Sequence, residues 1–237
     1  MSTDAPLPAD EQRSARRFWD DVQADPQRTA QQFWDDFYAT RTWSEHGPVN
    51  RQLVREVEAV PPGTALDLGC AEGADALWLA RHGWIVLGVD VAAAALGRAR
   101  AHADRLGLGD QVAFEQHDLA TGFPTGRFDL VSVQFLHSPV AAAGEREQIL
   151  RRAAEAVAPG GRLLVVSHHG MPTWAEQHPA AMTLPTPEQT VAALRLDDDR
   201  WRTVRSEVVA TEVESPDGRP GTRLDHVLHA LRTPAAP

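Results

Sequence analysis

The 237-residue chain contains no lysine, so all 23 of its basic side chains are arginines, and it contains one cysteine, Cys70. The absence of lysine excludes catalysis through a lysine Schiff base and excludes a P-loop, whose lysine contacts nucleotide phosphates. A single cysteine cannot form an internal disulfide bond, so the sequence gives no sign of an oxidising compartment. The 33 acidic side chains give a formal net charge of −10 without a basic stripe, which argues against nucleic acid or an anionic membrane as a partner.

Long apolar runs are also missing. The longest stretch without a charged residue, 130–144, contains Ser132, Gln134 and His137, and it is too short and too polar to cross a bilayer. Residues 1–12 are polar and rich in proline, unlike a secretory signal peptide. These features predict a cytoplasmic protein that does not bind membranes.

From about residue 61 onward, short apolar runs alternate with helical segments, a pattern typical of a parallel α/β sheet. Strands are predicted over 64–68, 84–89, 112–116, 128–135 and 162–167. Helices are predicted over 48–60, 74–81, 92–106 and 145–157, with a further helix that begins after Thr186. Residues 204–213 and 224–231 flank a Ser-Pro-Asp-Gly turn at 215–218 and predict a C-terminal antiparallel hairpin.

The N-terminal part differs from this alternating region. Phe-Trp-Asp-Asp occurs at 18–21 and again at 33–36, 15 residues later, and Asp25-Pro26 separates the two copies into two short predicted helices. We interpret the aromatic pairs as anchors that dock these helices on the body of the protein. The sequence therefore predicts a helical extension over 1–60 and one domain over 61–237.

The most informative segment is 67–73, Asp-Leu-Gly-Cys-Ala-Glu-Gly, where a strand runs into a loop of small residues and then into a helix. Small residues let the backbone approach a ligand, and the amides at the helix start donate hydrogen bonds. Asp90 ends the second strand, 21 residues after Gly69, where a carboxylate accepts hydrogen bonds from ribose hydroxyls. Asp118 follows the third strand at the same edge of the sheet, within reach of an adenine amine.

The 67–73 segment resembles the D-x-G-x-G-x-G loop of class I S-adenosylmethionine-dependent methyltransferases, with Ala71 in place of the middle glycine. Leu87-Gly88-Val89-Asp90 resembles the ribose-binding strand of that family, and His117-Asp118-Leu119 its adenine-binding turn. Phe128-Asp129-Leu130-Val131 and Pro159-Gly160-Gly161 resemble its fourth strand and the turn before its fifth. The resemblance implies a Rossmann-like, doubly wound, mostly parallel seven-stranded sheet, whose last strand is antiparallel and lies between the fifth and the sixth.

The resemblance also implies S-adenosylmethionine as cofactor and S-adenosylhomocysteine as product. Residues 134–139 look most like the small-molecule branch that includes tellurite-resistance and thiopurine methyltransferases, in which an N-terminal tryptophan contacts the cofactor; Trp43 matches it. A lid formed by the N-terminal extension is therefore our hypothesis. The cofactor-binding residues implied by the resemblance are Trp43, Asp67, Gly69, Cys70, Ala71, Gly73, Asp90, Val91, Asp118, Leu119 and Gln134.

Candidate bases for an acceptor that must lose a proton are His137, after the fourth strand, and His168 and His169, after the fifth; of the three, His137 is the one we favour. The alternative for each is a hydrogen bond at the sheet edge without catalysis. No metal site is predicted, because the acidic residue that magnesium-dependent O-methyltransferases carry after the fourth strand is missing. A zinc or iron site formed by His137, His169 and His178 is the less favoured alternative.

The segment 170–185 is irregular and contains Met171, Trp174 and Met182. Such loops often line binding sites, and methionine and tryptophan side chains form an adaptable apolar surface. The segment therefore favours a small, partly hydrophobic acceptor.

Two other functions compete with methyl transfer. Residues 69–74 fit a degraded G-x-G-x-x-G/A loop of an NAD-dependent oxidoreductase, in which Asp90 again holds a ribose. Asp67, Gly73 and the terminal hairpin argue against that alternative. A protein that binds S-adenosylmethionine without methylating, as a regulator or a cyclase, remains open on the sequence.

Overall fold

The computed structural model describes residues 28–40, 48–175, 184–197, 199–215 and 218–234. Its helices are α1 (Ala30–Thr40), α2 (Arg51–Val57), α3 (Ala74–Arg81), α4 (Ala93–Leu106), α5 (Glu145–Glu155) and α6 (Pro187–Leu194). Its strands are β1 (Thr64–Leu68), β2 (Ile85–Asp90), β3 (Val112–Gln116), β4 (Phe128–Gln134), β5 (Val157–His168), β6 (Trp201–Glu214) and β7 (Pro220–Arg232). The first Phe-Trp copy, Trp43, His178 and Met182 lie outside the described residues.

The seven strands form one sheet in the order β3-β2-β1-β4-β5-β7-β6. Strand β7 runs antiparallel to both β5 and β6, so the other six strands share one direction. This arrangement confirms the predicted fold class, including the antiparallel strand between the fifth and the sixth. The chain reverses its strand order between β1 and β4, and the carboxyl ends of these strands define the edge where open α/β sheets bind ligands.

Helices cover both faces of the sheet, as the apolar runs of the central strands require. On one face, Leu53 of α2, Leu79 of α3 and Leu96 of α4 are fully buried. On the other face, Leu150 of α5 is fully buried and Leu194 of α6 is nearly so. Within the described ranges, no helix is long and apolar enough to span a membrane.

Local capping residues fix two helix starts. The side chain of Asn50 accepts a hydrogen bond from the amide of Gln52, so α2 begins at Arg51 rather than at the predicted residue 48. Thr186 and Gln189 form the reciprocal capping box that the sequence predicts for α6.

The prediction around Pro159-Gly160-Gly161 is wrong. Helix α5 ends at Glu155, and β5 begins at Val157, before this tripeptide rather than after it. The register between β4 and β5 shifts there, so the tripeptide forms a bulge within one long strand. Gly161 is required at the bulge, because a Cβ atom would lie 2.9 to 3.0 Å from three backbone oxygens.

A buried ionic cluster joins α2 to the antiparallel strands. Glu56 accepts a hydrogen bond from Nδ1 of His229 at 2.8 Å and forms an ion pair with Arg205. Burial acts to raise the pKa of Glu56, but the hydrogen bonds from His229 and Arg205 outweigh it and hold the pKa below its ordinary value. Ionised Glu56 therefore stabilises the fold.

We expect Glu56→Gln to lower the free energy of unfolding at pH 7 by about 2 kcal/mol, between the values for exposed and buried ion pairs. Because the pKa of Glu56 is lowered in the folded state, this difference should be complete above about pH 4.5 and should shrink as the pH falls further. Urea denaturation between pH 7 and about pH 3 measures it, because the loss is expected only below about pH 4.5. The exposed neighbour Glu58, changed to Gln, is the matched control and should have little effect at either pH. A pH-independent loss would assign the effect to packing.

Candidate active site

The loop after β1 has the backbone conformation of a ligand cradle. Gly69, Ala71 and Gly73 all adopt positive φ angles, of 71°, 50° and 84°. At Gly73 a Cβ atom would lie 2.8 Å from the ring of Phe114, so only glycine fits there. The amides of Gly69 and Cys70 donate to the carbonyl of Val89 on β2, at 2.8 and 3.0 Å, and tie the loop to the second strand.

Ala71 stores strain in this loop, because a left-handed conformation costs a non-glycine residue about 1–2 kcal/mol. We expect Ala71→Gly to raise the free energy of unfolding by about 0.5–1 kcal/mol. The substitution relieves the strain, but part of that gain is lost because glycine loses more conformational entropy on folding. Ala101→Gly, at an exposed position within α4, is the control and should lose about 1 kcal/mol. Chemical denaturation compares the two variants; equal losses would show that Ala71 carries no relievable strain.

Three carboxylates lie buried behind the loop. Asp67 on β1 is 2 % exposed, and its Oδ2 has no hydrogen-bond partner. Burial, together with the charges of Asp75 and Asp90, raises the pKa of Asp67 well above its ordinary value, against the opposing effect of a hydrogen bond with Ser132. Burial also raises the pKa of Asp75 to about 6. Such a group of buried acids favours a ligand that carries positive charge.

The two other predicted acids differ in exposure. Asp90, at the end of β2, is 8 % exposed, and it accepts hydrogen bonds from the amides of Ala71 and Ala92, each at 2.9 Å. These bonds hold its carboxylate between the loop and α4, and burial raises its pKa. Asp118 is exposed and accepts from the amide of Ala120 at 3.0 Å, which fixes the turn after β3.

Gln134 and Cys70 occupy interior positions. The Gln134 side chain donates to Ser132 at 3.0 Å and accepts from Asn50 at 2.7 Å, so both ends of its amide are engaged within the fold. The Cys70 thiol is buried in the core beside Gly88, and burial raises its pKa. Any contact of Cys70 with a ligand therefore involves its backbone.

An open cavity of about 770 Å³ lies at this edge of the sheet. Six of the predicted site residues line it, namely Gly69, Asp90, Val91, Asp118, Leu119 and His137.

Helix α1 forms one wall of the cavity through Trp34 and Tyr38. The indole nitrogen of Trp34 donates to the hydroxyl of Ser138 at 3.3 Å, and Asp35 accepts from the amide of Ala94 at the start of α4, at 3.2 Å. Arg98 of α4 donates to the carbonyl of Tyr38 at 3.0 Å. These contacts join α1 to both sides of the cavity; the sequence predicted Trp34 as a docking anchor but not as a residue of the cavity wall.

The three predicted histidines have different surroundings. Nε2 of His137 accepts from the amide of His168 at 3.3 Å, while burial, Arg146 and His168 lower the pKa of His137 to about 3. Nδ1 of His168 donates to Asp225 on β7 at 3.1 Å, which leaves Nε2 of His168 unprotonated. Burial lowers the pKa of His168, whereas the hydrogen bond with Asp225 opposes that shift. His169 donates its amide to the carbonyl of Leu224.

His168 also contacts the cavity wall. Its ring stacks on that of Phe135 with centroids 4.2 Å apart, and Phe135 lines the cavity with a strained φ of 52°. The partner of His168, Asp225, is held in turn by Arg223, whose Nε lies 2.8 Å from Oδ1. Sequence reasoning missed Asp225, because it lies 57 residues from His168 and meets it only through the register of β5 and β7.

Comparisons with known proteins agree with this geometry. Residues 65–161 match the family described as "Methyltransferase domain". Residues 65–161 are therefore similar to a methyltransferase domain, as the resemblance to class I S-adenosylmethionine-dependent enzymes predicts. This similarity argues against the NAD-dependent alternative.

Particular relatives cover only part of the chain. The chain is 37% identical over 108 residues to 2-heptyl-1-hydroxyquinolin-4(1H)-one methyltransferase of Mycobacteroides abscessus. The aligned stretch covers 44% of this chain and 45% of that protein. The chain is 33% identical over 113 residues to ribosomal RNA small subunit methyltransferase C of Alcanivorax borkumensis, 47% of this chain and 34% of that protein. The chain thus spans about a third to a half of the length of these relatives. The crystal structure of TehB from Haemophilus influenzae shares the fold with a TM-score of 0.61 at 14% identity, over 86% of this chain and 67% of that one.

Proposed function

We propose that the protein transfers a methyl group from S-adenosylmethionine to a small-molecule acceptor. The observation that supports this most directly is the unpartnered, buried carboxylate oxygen of Asp67 beside the left-handed loop at Gly69. A buried anion without a partner is costly, and a ligand that carries a sulfonium and an ammonium group relieves that cost.

The residues present fit the cofactor. Asp67 would hold its cationic methionine part, the backbone from Gly69 to Gly73 would cradle it, and Asp90 would accept from its ribose hydroxyls. Asp118 and Leu119 would contact the adenine, and the backbone of Gln134 would contact the methionine part. The cofactor supplies an electrophilic methyl group, and its sulfur leaves as an uncharged thioether. The chain's own task is to position the acceptor and to exclude water.

Two observations favour a small acceptor over a polymer. Trp34 and Tyr38 narrow the cavity from the α1 side, and the chain carries a net charge of −10. A relative that is named for a hydroxyquinolone acceptor matches the domain, and so does one that is named for ribosomal RNA. Methylation of RNA is therefore the competing function. Gel-shift titration with total RNA tests it, and tight, saturable binding would favour RNA as the acceptor.

His168 fits the role of a general base better than His137. Its Nδ1–H is oriented by Asp225, and its Nε2 is left free to take a proton from an acceptor. Nε2 of His137 already accepts a hydrogen bond, and with a pKa of about 3 this ring is a weak base. His169 has no comparable orienting carboxylate among its described contacts.

We expect α1 to act as a lid whose Trp34 stabilises the bound cofactor. Trp34→Ala should weaken the affinity for S-adenosylhomocysteine about fivefold, because it removes both the aromatic wall and the hydrogen bond to Ser138. Trp34→Phe keeps the wall and should lose less than half of that free energy. Isothermal titration calorimetry on the full chain measures both variants. An unchanged affinity in folded Trp34→Ala would remove α1 from the binding site.

The cofactor itself is tested by calorimetry of the full chain against S-adenosylmethionine, S-adenosylhomocysteine, NAD and NADH. Binding of the first two and not of the nicotinamides is expected. The methyl-transfer step is then tested by incubation of the protein and S-adenosylmethionine with pools of small phenols, amines and thiols. We expect S-adenosylhomocysteine to accumulate with one pool only. One compound of that pool should gain the mass of a methylene group. Binding without any transfer would favour the non-methylating alternative.

A further inference from the structure

The cavity is electrically polarised from one side to the other. Asp90 and Asp118 line the side formed by β2 and β3, next to buried Asp67. The opposite side, after β4 and at the start of α5, carries the cation Arg146 together with His137 and one carboxylate, Glu145. The acidic side matches the cationic methyl donor, so the basic side is left for the acceptor.

Arg146 is a partly buried cation on this basic side. Its Nε donates to the carbonyl of Leu136 at 3.2 Å, and its Nη2 donates to the hydroxyl of Ser167 at 2.7 Å. Both partners are neutral, and burial lowers the pKa of Arg146 because the charge is partly removed from water. A guanidinium has five N–H donors, so three remain beyond these two bonds.

Apart from Glu145, whose Oε2 accepts from the amide of Ala142, the side chains around Arg146 add donors. Because Nε2 of His137 accepts from the amide of His168, its hydrogen is on Nδ1, and His137 is a neutral donor. The Ser138 hydroxyl accepts from Trp34 and is left to donate its own hydrogen. Arg146, His137 and Ser138 all line the cavity. Such a donor-rich wall is complementary to an anion.

We propose that Arg146 binds a carboxylate on the methyl acceptor, so that this site selects acidic small molecules. The planar guanidinium fork matches a carboxylate through two parallel hydrogen bonds. A singly charged carboxylate suits the site better than a dianionic phosphate, since Glu145 and Glu147 lie in the same helical turn. The proposal rests on the proposed function, because it assigns the chemistry of the acceptor at that same cavity.

The test compares acids with their uncharged amides on the full chain, saturated with S-adenosylhomocysteine so that no reaction occurs. Calorimetry is run with 4-hydroxybenzoate and 4-hydroxybenzamide, indole-3-acetate and indole-3-acetamide, and octanoate and octanamide. We expect the acid to bind at least tenfold more tightly than its amide in one pair or more. Arg146→Met should abolish this preference, and Arg146→Lys should retain part of it.

Arg81→Met is the matched control, because it removes the same charge from an exposed position at the far end of α3. It should keep the acid preference in full. If Arg146 were purely structural, its substitution would lower stability without changing the ratio of acid to amide affinity. That ratio can be measured in Arg146→Lys even if Arg146→Met does not fold.

Two results would overturn the proposal: no acid preference in any pair for the wild-type chain, or a preference that persists in Arg146→Met or is undiminished in Arg146→Lys. The proposed function fails separately, if S-adenosylhomocysteine does not bind at all. In that case an Arg146-dependent acid preference, measured without S-adenosylhomocysteine, would leave the anion site in place.

Discussion

Asp67→Asn is expected to stabilise the protein without cofactor and to weaken its affinity for S-adenosylhomocysteine about 10- to 100-fold. The weaker affinity follows because a charge-assisted hydrogen bond of about 1.5–3 kcal/mol is replaced by a neutral one. The gain in stability follows because the Asp67 carboxylate is 2 % exposed and has an oxygen without a partner. Removing an uncompensated buried charge relieves its desolvation.

The pH dependence of stability gives an independent readout. The pKa of Asp67 is raised in the folded state by burial, Asp75 and Asp90, so the folded protein binds its proton more tightly than the unfolded chain does. The free energy of unfolding of the wild type should therefore fall as the pH rises above about 4, until the raised pKa of the folded state is passed. Asp67→Asn should lack this contribution. Urea denaturation between pH 4 and pH 7 measures both curves.

Asp75→Asn is the control for this experiment. Asp75 is a buried acid of the same group, with a pKa raised to about 6, but its Oδ1 already accepts from the amide of Asn50 at 2.7 Å. Its replacement should change the affinity for S-adenosylhomocysteine less than threefold. If Asp67→Asn binds S-adenosylhomocysteine as tightly as the wild type, Asp67 is a structural acid and the assignment of the methionine end of the site is wrong.

The parts of the site that the sequence predicted are those that local chemistry determines. The loop over 67–73 combines small residues with the end of a buried strand, and the structure gives it the left-handed angles that such a loop needs. Even the departure at Ala71 keeps the conformation of the glycine it replaces. The capping box at Thr186 is also determined within four residues. These local conformations depend on neighbours along the chain, so the sequence pattern is enough to predict them.

The parts that the sequence did not predict depend on register and on side chains from distant elements. Pro159-Gly160-Gly161 is a turn sequence, but pairing of β5 with β4 on both sides converts it into a bulge. Asp225 meets His168 only because β7 inserts beside β5, and Arg146 reaches Ser167 only because α5 packs on that edge. Nothing near these residues in the sequence marks them. The contribution of residues 41–47, with Trp43, stays a prediction.

The largest effect is expected at His168 with an acceptor that must lose a proton. His168→Gln should lower turnover about 10²- to 10⁴-fold, the usual contribution of a general base, with the affinity for S-adenosylhomocysteine nearly unchanged. His137→Gln and His169→Gln are matched controls of the same shape, and each should lose far less. A larger loss in His137→Gln than in His168→Gln would return the role of base to His137.

The pH profile separates a base from a residue that only packs. Burial lowers the pKa of His168 below its ordinary value of 6.5, so turnover should rise with pH through a midpoint below 6.5 and stay flat above it. Asp225→Asn removes the carboxylate that opposes this shift, so the midpoint should move to lower pH while turnover falls, because the ring loses its orienting partner. An NMR titration of the His168 ring measures the same midpoint without any acceptor. The contrary outcome is a ring that titrates as expected while turnover is unchanged in both variants. In that case the acceptor is already nucleophilic at neutral pH, and Asp225 and His168 serve only to join β5 to β7.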